Sequence, residues 1–139
     1  MLNEIDLNNL KSSFKIKKFK KGDVIFPQGQ IADGAYVVIS GLIGLKKKHY
    51  SENIIEHIGK ISKGDTFGAW YILFESKLRF ISAEAIEDSE VVFIPNDLLK
   101  KKLKNCDPFI IYCFRKWIDL ISNKKVPKKN KIVKHDPKF

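Results

Sequence analysis

The sequence predicts a mainly β fold, an antiparallel β jelly-roll barrel with helices at its ends and one short helix inside, on three observations. β-branched, aromatic or alternating apolar stretches recur about every ten residues. Glycine-bearing turns separate them, as at residues 21–23, 27–29 and 62–65. Helical patterns are confined to stretches near the two ends of the chain and to one short stretch between strands. Short strands joined by such turns are typical of antiparallel barrels and jelly rolls.

The N-terminal half predicts one helix and then a series of strands. Apolar residues at Ile5, Leu7 and Leu10, with acidic residues in the first turn, predict a short amphipathic helix over residues 3–13. Strict alternation starts a strand at residue 14. The further strands are predicted at residues 24–26, 35–45 and 54–61, with a break at Gly41 and a hairpin loop at residues 51–53.

The C-terminal half predicts two more strands and two helices. The strands cover residues 79–86 and 90–94. Asn96 is the predicted cap of a helix that continues to residue 104. Asp107-Pro108 then starts a second helix, because an N-cap acceptor followed by proline is a typical helix start.

Arg79 heads a strand face that is otherwise apolar. Alternation places it on the same side as Ile81, Ala83 and Ala85. A guanidinium stays charged in a protein and is costly to bury alone, so an inward arginine requires an anion from the chain or from a ligand. Glu75 is the nearest carboxylate in sequence.

A glycine-led helix start precedes this arginine. Phe67-Gly68-Ala69 leads into a short apolar run at residues 70–74 that predicts a turn or two of helix. Backbone N–H groups at such a start form a cradle for a phosphate. The predicted ligand-binding residues are Gly68, Ala69, Trp70, Arg79 and Phe80.

The stretch from residue 67 to 85 resembles the phosphate-binding cassette of the cyclic nucleotide-binding domain family, which includes catabolite activator proteins and regulatory subunits of protein kinase A. Upstream, Gly22, Gly29, Asp33 and Gly41 follow the family's spacing, and the resemblance covers about residues 3–121. It implies a regulatory domain rather than an enzyme. The implied ligand is cAMP, cGMP or another small phosphate-bearing anion.

Two residues at the expected site differ from the family pattern. The family usually has a glutamate, which accepts a hydrogen bond from the ribose 2′-hydroxyl, where this chain has Ala69. The residue after the arginine is usually small, and here it is Phe80; one extra residue also separates Gly68 from Arg79. Loss of the carboxylate costs roughly 1.5–3 kcal/mol, about ten- to a hundred-fold in affinity or somewhat more. A different anion is therefore plausible as the ligand.

The predicted helix at residues 109–121 is apolar nearly all round, and two interpretations stay open. It packs deeply against the barrel, or it has a second task, as a homodimer interface or as a lid over a ligand, which is what the matching helix does in the family. In the second interpretation Tyr112 or Trp117 stacks on a base. The main stripe is Ile110, Phe114, Trp117 and Ile121, widened by Phe109, Cys113 and Leu120.

Composition and charge limit the remaining function classes. The 139 residues, 44% of them apolar, suit one domain, predicted at residues 1–123. No apolar run is long enough to span a membrane and the N-terminus has no signal-peptide pattern, so a cytoplasmic protein is expected. Residues 124–139 hold seven lysines and one aspartate against a net charge of +10, which predicts a flexible tail that is solvated or binds a polyanion weakly. No helix-turn-helix pattern follows the last helix, so sequence-specific DNA binding by this chain alone is not expected.

Catalytic and metal-binding patterns are not found in the sequence. The three histidines form no usable pair of metal ligands, and Ser40 and Ser82 have no histidine placed to activate them. Cys106 and Cys113 are too far apart for a disulfide and too few for an iron–sulfur cluster, so buried thiols are expected.

Two functions from different classes follow. In the first, a ligand-sensing module binds a cyclic nucleotide or related anion through Arg79 and the N–H groups around residues 68–70. In the second, a degenerate member binds no nucleotide and serves as an interaction or dimerisation module. There Arg79 pairs with Glu75, and Trp70 and Phe80 fill the vacated pocket. The surroundings of the Arg79 guanidinium decide between the two.

Overall fold

The computed structural model describes residues 4–74 and 76–125. Two four-stranded antiparallel sheets face each other, one in the order β1-β8-β3-β6 and the other in the order β2-β7-β4-β5. The mainly β, antiparallel prediction is confirmed. The strands are β1 (Lys15–Phe19), β2 (Val24–Phe26), β3 (Gly34–Ser40), β4 (Ile43–His49), β5 (Ile54–Ile61), β6 (Thr66–Phe67), β7 (Ser82–Ala85) and β8 (Ser89–Pro95).

Aromatic and aliphatic side chains fill the space between the sheets. Strand β3 is buried at every position except its last residue, since it pairs with β8 on one side and β6 on the other. Tyr36 and Phe67 stack with ring centroids 5.0 Å apart, and Phe26 lies 6.0 Å from Phe67. The core also contains Val38, Ile43, Ala83, Ala85 and Val91. This part of the barrel interior is occupied by hydrocarbon.

The predicted strand over residues 35–45 is two strands, separated at Gly41 as the glycine indicates. Gly41 has a φ of +97°, and a Cβ there would lie 2.1 Å from the Ser89 hydroxyl oxygen, so only glycine fits. Ser89 is buried and its hydroxyl accepts the Leu42 N–H at 3.1 Å. This contact fastens the β3–β4 turn to the start of β8.

Strand β5 is an edge strand whose neighbour is β4. Its residues are exposed from Ile54 to Lys60, whereas strict alternation would bury one face. Ile54 and Ile55 are each more than half exposed.

The helices are α1 (Glu4–Ser13), α2 (Trp70–Leu73), α3 (Asn96–Lys104) and α4 (Pro108–Lys125). The predicted cap at Asp107 is confirmed, because its carboxylate accepts the Phe109 N–H at 2.7 Å. The predicted cap at Asn96 is wrong: Pro95 holds the cap position, and Asn96 is the first helical residue. Helix α4 runs through the first residues of the predicted tail, and residues 126–139 lie outside the described part of the chain.

The cysteines differ from the buried thiols that the sequence predicts. Both are free, Cys106 being exposed and Cys113 half-buried. Cys106 lies in the turn between α3 and α4, and Cys113 lies in α4.

Candidate functional site

Arg79 is buried inside the barrel, with 4% of its surface exposed. The inward orientation that the sequence predicts is confirmed, although β7 begins three residues later than expected. The backbone of Arg79 is held at both polar groups. Its N–H donates to the Gln30 carbonyl at 2.8 Å, and its carbonyl accepts the Gly29 N–H at 2.9 Å. The loop that follows β2 therefore fixes where the side chain enters the barrel.

The chain itself provides an anion for this guanidinium. Arg79 Nη2 donates to a carboxylate oxygen of Asp33 at 3.0 Å and to the Gly34 carbonyl at 2.7 Å. Nη1 donates to the Gly68 carbonyl at 2.6 Å. Asp33 stands just before β3, and its side chain remains 62% exposed. The partner is thus Asp33, while the expected partner Glu75 lies outside the described residues.

Three aromatic rings enclose the guanidinium. The Arg79 Cζ atom lies 4.1 Å from the ring centroid of Phe26, 5.3 Å from that of Tyr71 and 5.8 Å from that of Tyr36. Such contacts place the positive charge on the negative faces of the rings. The non-binding hypothesis predicts Trp70 and Phe80 in this place, but Trp70 is 36% exposed and Phe80 is half-buried.

The phenols of this shell are neutral at physiological pH. Burial and the nearby Asp33 carboxylate raise the pKa of Tyr36 to about 12. Burial also raises the pKa of Tyr71 above its ordinary value. The charges at the site are therefore those of Arg79 and Asp33.

The Nε–H of the guanidinium is unpaired within the part of the chain that the structure describes. Arg79 Nε is buried, and no atom of the described residues accepts its hydrogen bond. Leaving a charged donor unsatisfied in a low-dielectric interior is costly. The arginine is therefore held on one side, while part of its hydrogen-bonding capacity is unused.

Gly68 presents its carbonyl to the arginine. The residue has a φ of +78°, and a Cβ at this position would lie 3.0 Å from Arg79 Nη1. Ala69 is the N-cap of α2 and gives that helix no side-chain hydrogen bond. Helix α2 has four residues. The predicted phosphate cradle is thus short, and its first residue already serves Arg79 as an acceptor.

Two hydrogen bonds connect α2 to the C-terminal helices. The Tyr71 hydroxyl donates to the Asn96 side-chain oxygen at 2.7 Å, which joins α2 to α3. The Arg115 Nε–H donates to the Leu73 carbonyl, which joins α4 to the end of α2. A displacement of α2 therefore changes a hydrogen bond to α3 and another to α4.

The apolar side chains of α4 are largely in water, so the deep packing considered above is not observed. Tyr112 is 57% exposed, Phe114 45% and Trp117 58%. Phe114 and Trp117 meet edge to face with ring centroids 5.7 Å apart. The side chain of Ile121 lies outside the described residues. The role of this face as a lid or dimer interface stays a prediction.

Two kinds of feature are absent from the described residues. No helix there is both long and apolar enough to cross a membrane. No group of three or more His, Cys, Asp or Glu residues within residues 4–74 and 76–125 could hold a metal ion.

Known proteins of similar sequence and structure cover most of the chain. Lysophospholipase NTE1 of Candida albicans is 31% identical over 93 residues, which are 65% of this chain and 7% of that protein. The structure of the EAL enzyme Bd1971 in its cAMP-bound form is 16% identical, with a TM-score of 0.68, and covers 79% of this chain and 29% of its own. The catabolite activator protein of Thermus thermophilus is 25% identical, with a TM-score of 0.61, over 74% of this chain and 49% of its own. The chain thus spans only a small part of the first of these relatives.

A family model agrees with the resemblance noted in the sequence. The model described as the cyclic nucleotide-binding domain matches residues 16–106, which include β1 except Lys15, β2 to β8, the Arg79 shell and α3. This is more than half of the chain. The chain therefore belongs to the cyclic nucleotide-binding domain family.

Proposed function

We propose that this domain is a regulatory sensor that binds a cyclic nucleotide or a related small anion at Arg79. The observation that carries the proposal is the buried guanidinium whose Nε–H has no acceptor among the described residues. A ligand anion beside Arg79 would satisfy that donor. It would also place a second negative charge beside the Arg79 guanidinium, which Asp33 contacts from one side.

Asp33 and the two carbonyls act as the positioning groups. They hold Nη1 and Nη2 at 2.6–3.0 Å and so fix the plane of the guanidinium. A guanidinium held in this way binds an anion without first losing rotamer freedom. Ala69 in place of the family's glutamate removes the group that would accept the ribose hydroxyl, so the anionic group contributes most of the binding free energy.

The hydrogen bonds of α2 provide a route from ligand to readout. Gly68 contacts the guanidinium directly and lies two residues before α2. A ligand at Nε that moves the guanidinium also moves the Gly68 carbonyl bonded to Nη1, which shifts α2 and with it the bonds from Tyr71 to Asn96 and from Arg115 to Leu73. The positions of α3 and α4 then depend on occupancy, which is the population shift that a sensor requires.

Calorimetric titration tests the proposal. The probes are cAMP, cGMP and inorganic phosphate, the first two because Bd1971 has been solved in cAMP-bound and cGMP-bound forms. We expect binding of at least one probe to the wild type and a loss of about tenfold or more in the Arg79→Lys variant, because lysine cannot reproduce the planar arrangement of donors. Because Arg79→Lys keeps the positive charge, its matched control is Lys18→Arg at an exposed site on β1, which should bind like the wild type.

A second variant restores the glutamate that the family usually has at position 69. Ala69→Glu is expected to raise affinity for cAMP and cGMP about ten- to a hundred-fold and to leave phosphate affinity unchanged or lower, since only the nucleotides carry a ribose. Proper folding of each variant is checked by circular dichroism. Folded wild-type protein that binds none of the probes, with no gain in Ala69→Glu, would contradict the sensor.

A second function is favoured by the exposed face of α4. We infer that a domain with Arg79 paired to Asp33 and aromatic rings around it could also serve as a non-binding dimerisation module. The aromatic side chains of residues 109–121, with Trp117 58% exposed, are the proposed homodimer contact. Burying them in a second copy would remove apolar surface from water at about 25 cal/mol per Å².

Sedimentation equilibrium distinguishes this alternative. A dimer that dissociates in Trp117→Lys and persists in Lys116→Ala, on the same helix, would support it. A monomer at all concentrations would exclude it. Ligand binding and dimerisation are measured separately, so one result does not decide the other.

A further inference from the structure

A groove beside α2 adjoins the Arg79 shell. It has a cavity volume of about 950 Å³ and runs between the β2–β3 loop and the segment after α2 on one side and α3 and α4 on the other. Its apolar walls include Ile31, Ile72, Leu78, Leu103 and Ile111. Ile31 is 72% exposed and Leu78 is 49% exposed. Apolar surface of this kind, gathered in a concave site, is typical of ligand-binding sites.

Basic side chains surround the apolar walls. Lys77 comes from the segment after α2, Lys100 and Lys104 from α3, and Arg115 from α4. None of the described residues that line the groove is acidic. Arg115 is oriented by its bond to the Leu73 carbonyl. A concave surface lined by charges of one sign concentrates ligands of the opposite sign.

Tyr71 is the residue that the groove shares with the Arg79 shell. Its ring is 5.3 Å from the Arg79 Cζ atom, and its hydroxyl donates to Asn96, which also lines the groove. Arg79 itself is not among the residues that line it. The groove is thus a separate cavity that shares Tyr71 with the Arg79 shell, and a ligand bound in it would not contact Arg79.

We propose that this groove binds one molecule of a free long-chain anionic amphiphile. The hydrocarbon chain lies against Ile31 and Leu78, and the carboxylate or phosphate head group lies at the lysines. The volume is within the range of small-molecule sites, roughly 300–1,000 Å³. The chain's own residues 124–139 are lysine-rich and a second copy carries a net charge of +10, so neither has the negative charge that would complement the basic groove.

Binding of oleate to the full chain tests the proposal. Oleate displaces a fluorescent fatty acid, and every measurement is made below the concentration at which oleate forms micelles. We expect saturable binding at one site per chain, with methyl oleate and octanoate at least tenfold weaker because one lacks the charge and the other most of the hydrocarbon. Ile31→Glu should abolish binding. Its control, Ile55→Glu on β5, changes a residue that is 54% exposed and should bind like the wild type.

Charge reversal tests the head-group contacts. Lys100→Glu with Lys104→Glu should weaken oleate about tenfold, whereas Lys20→Glu with Lys60→Glu changes the net charge equally and should leave binding intact. Equal weakening by both pairs would show a general attraction to anions or to a lipid surface and would overturn the proposal. Equal binding by the Ile31→Glu and Ile55→Glu variants, or no saturable binding of oleate by wild type, would overturn it too.

Discussion

Replacing Gly68 with alanine tests how closely the Arg79 shell is packed. Gly68 has a φ of +78°, a left-handed conformation that costs a residue with a Cβ about 1–2 kcal/mol. The new Cβ would also lie 3.0 Å from Arg79 Nη1 and 3.3 Å from Phe26 Cε2. Both contacts are tighter than ordinary ones, so the guanidinium or the ring must move. Overpacking of this kind adds about 1–3 kcal/mol.

Gly64 provides the matched control. Its φ is +89°, and a Cβ there meets nothing within 4 Å. Gly64→Ala therefore carries only the conformational cost, about 1–2 kcal/mol, while Gly68→Ala should lose about 2–5 kcal/mol. The difference between the two variants isolates the contact with Arg79.

Urea unfolding followed by circular dichroism measures both losses at one pH and temperature. We expect the two variants to differ by at least about 1 kcal/mol. The loss in Gly68→Ala should also be smaller when Arg79 is already alanine, since contacting residues couple by about 0.5–3 kcal/mol. Equal losses in the two glycine variants would refute the close approach of Gly68 to the guanidinium.

The remaining predictions concern three buried polar groups. Because the folded-state pKa of Tyr36, about 12, exceeds the unfolded value of 10.0, its stabilising effect is complete below pH 10 and is lost as the pH rises towards 12, by about 1.4 kcal/mol at pH 11. Urea midpoints at pH 8 and pH 11 should therefore fall further in the wild type than in Tyr36→Phe, and equal falls would contradict a buried phenol. Ser89→Ala leaves the Leu42 N–H without its acceptor and should cost about 1–3 kcal/mol in urea unfolding; a loss close to zero would show that this turn is not held by the hydroxyl. Arg79→Met keeps an apolar stem against the rings but leaves the Gly34 and Gly68 carbonyls without their donor, so it should cost about 1–3 kcal/mol, against less than about 1 kcal/mol for Lys18→Met at its exposed ion pair. Equal losses would refute a buried pairing role for Arg79.

Local sequence features were sufficient to predict most of the fold. Glycine at positions of positive φ, such as Gly41, marks a turn regardless of the rest of the chain. The Asp107-Pro108 start of α4 is likewise encoded within a few residues. The exposure of β5 was missed because alternation describes a strand but not its place at the edge of a sheet.

The candidate site was predicted in part. Alternation showed that Arg79 points inward, but its carboxylate partner is 46 residues away in sequence. Asp33 had matched the family spacing without any pattern that assigns it a role. Tyr71, rather than Trp70, faces the guanidinium. The sequence did not predict this, because a four-residue helix is too short for periodicity to indicate its inner face. Such pairings depend on tertiary packing, which local patterns do not contain.

The exposed edge strand β5 is expected to open locally from the sheet. A strand that is paired with β4 and buries almost no side chain can separate from the sheet without opening the core. Its amide protons should exchange with solvent deuterium long before those of β3, through local opening rather than global unfolding. Substitutions along β5 are then expected to alter solubility and strand–strand association more than the free energy of unfolding.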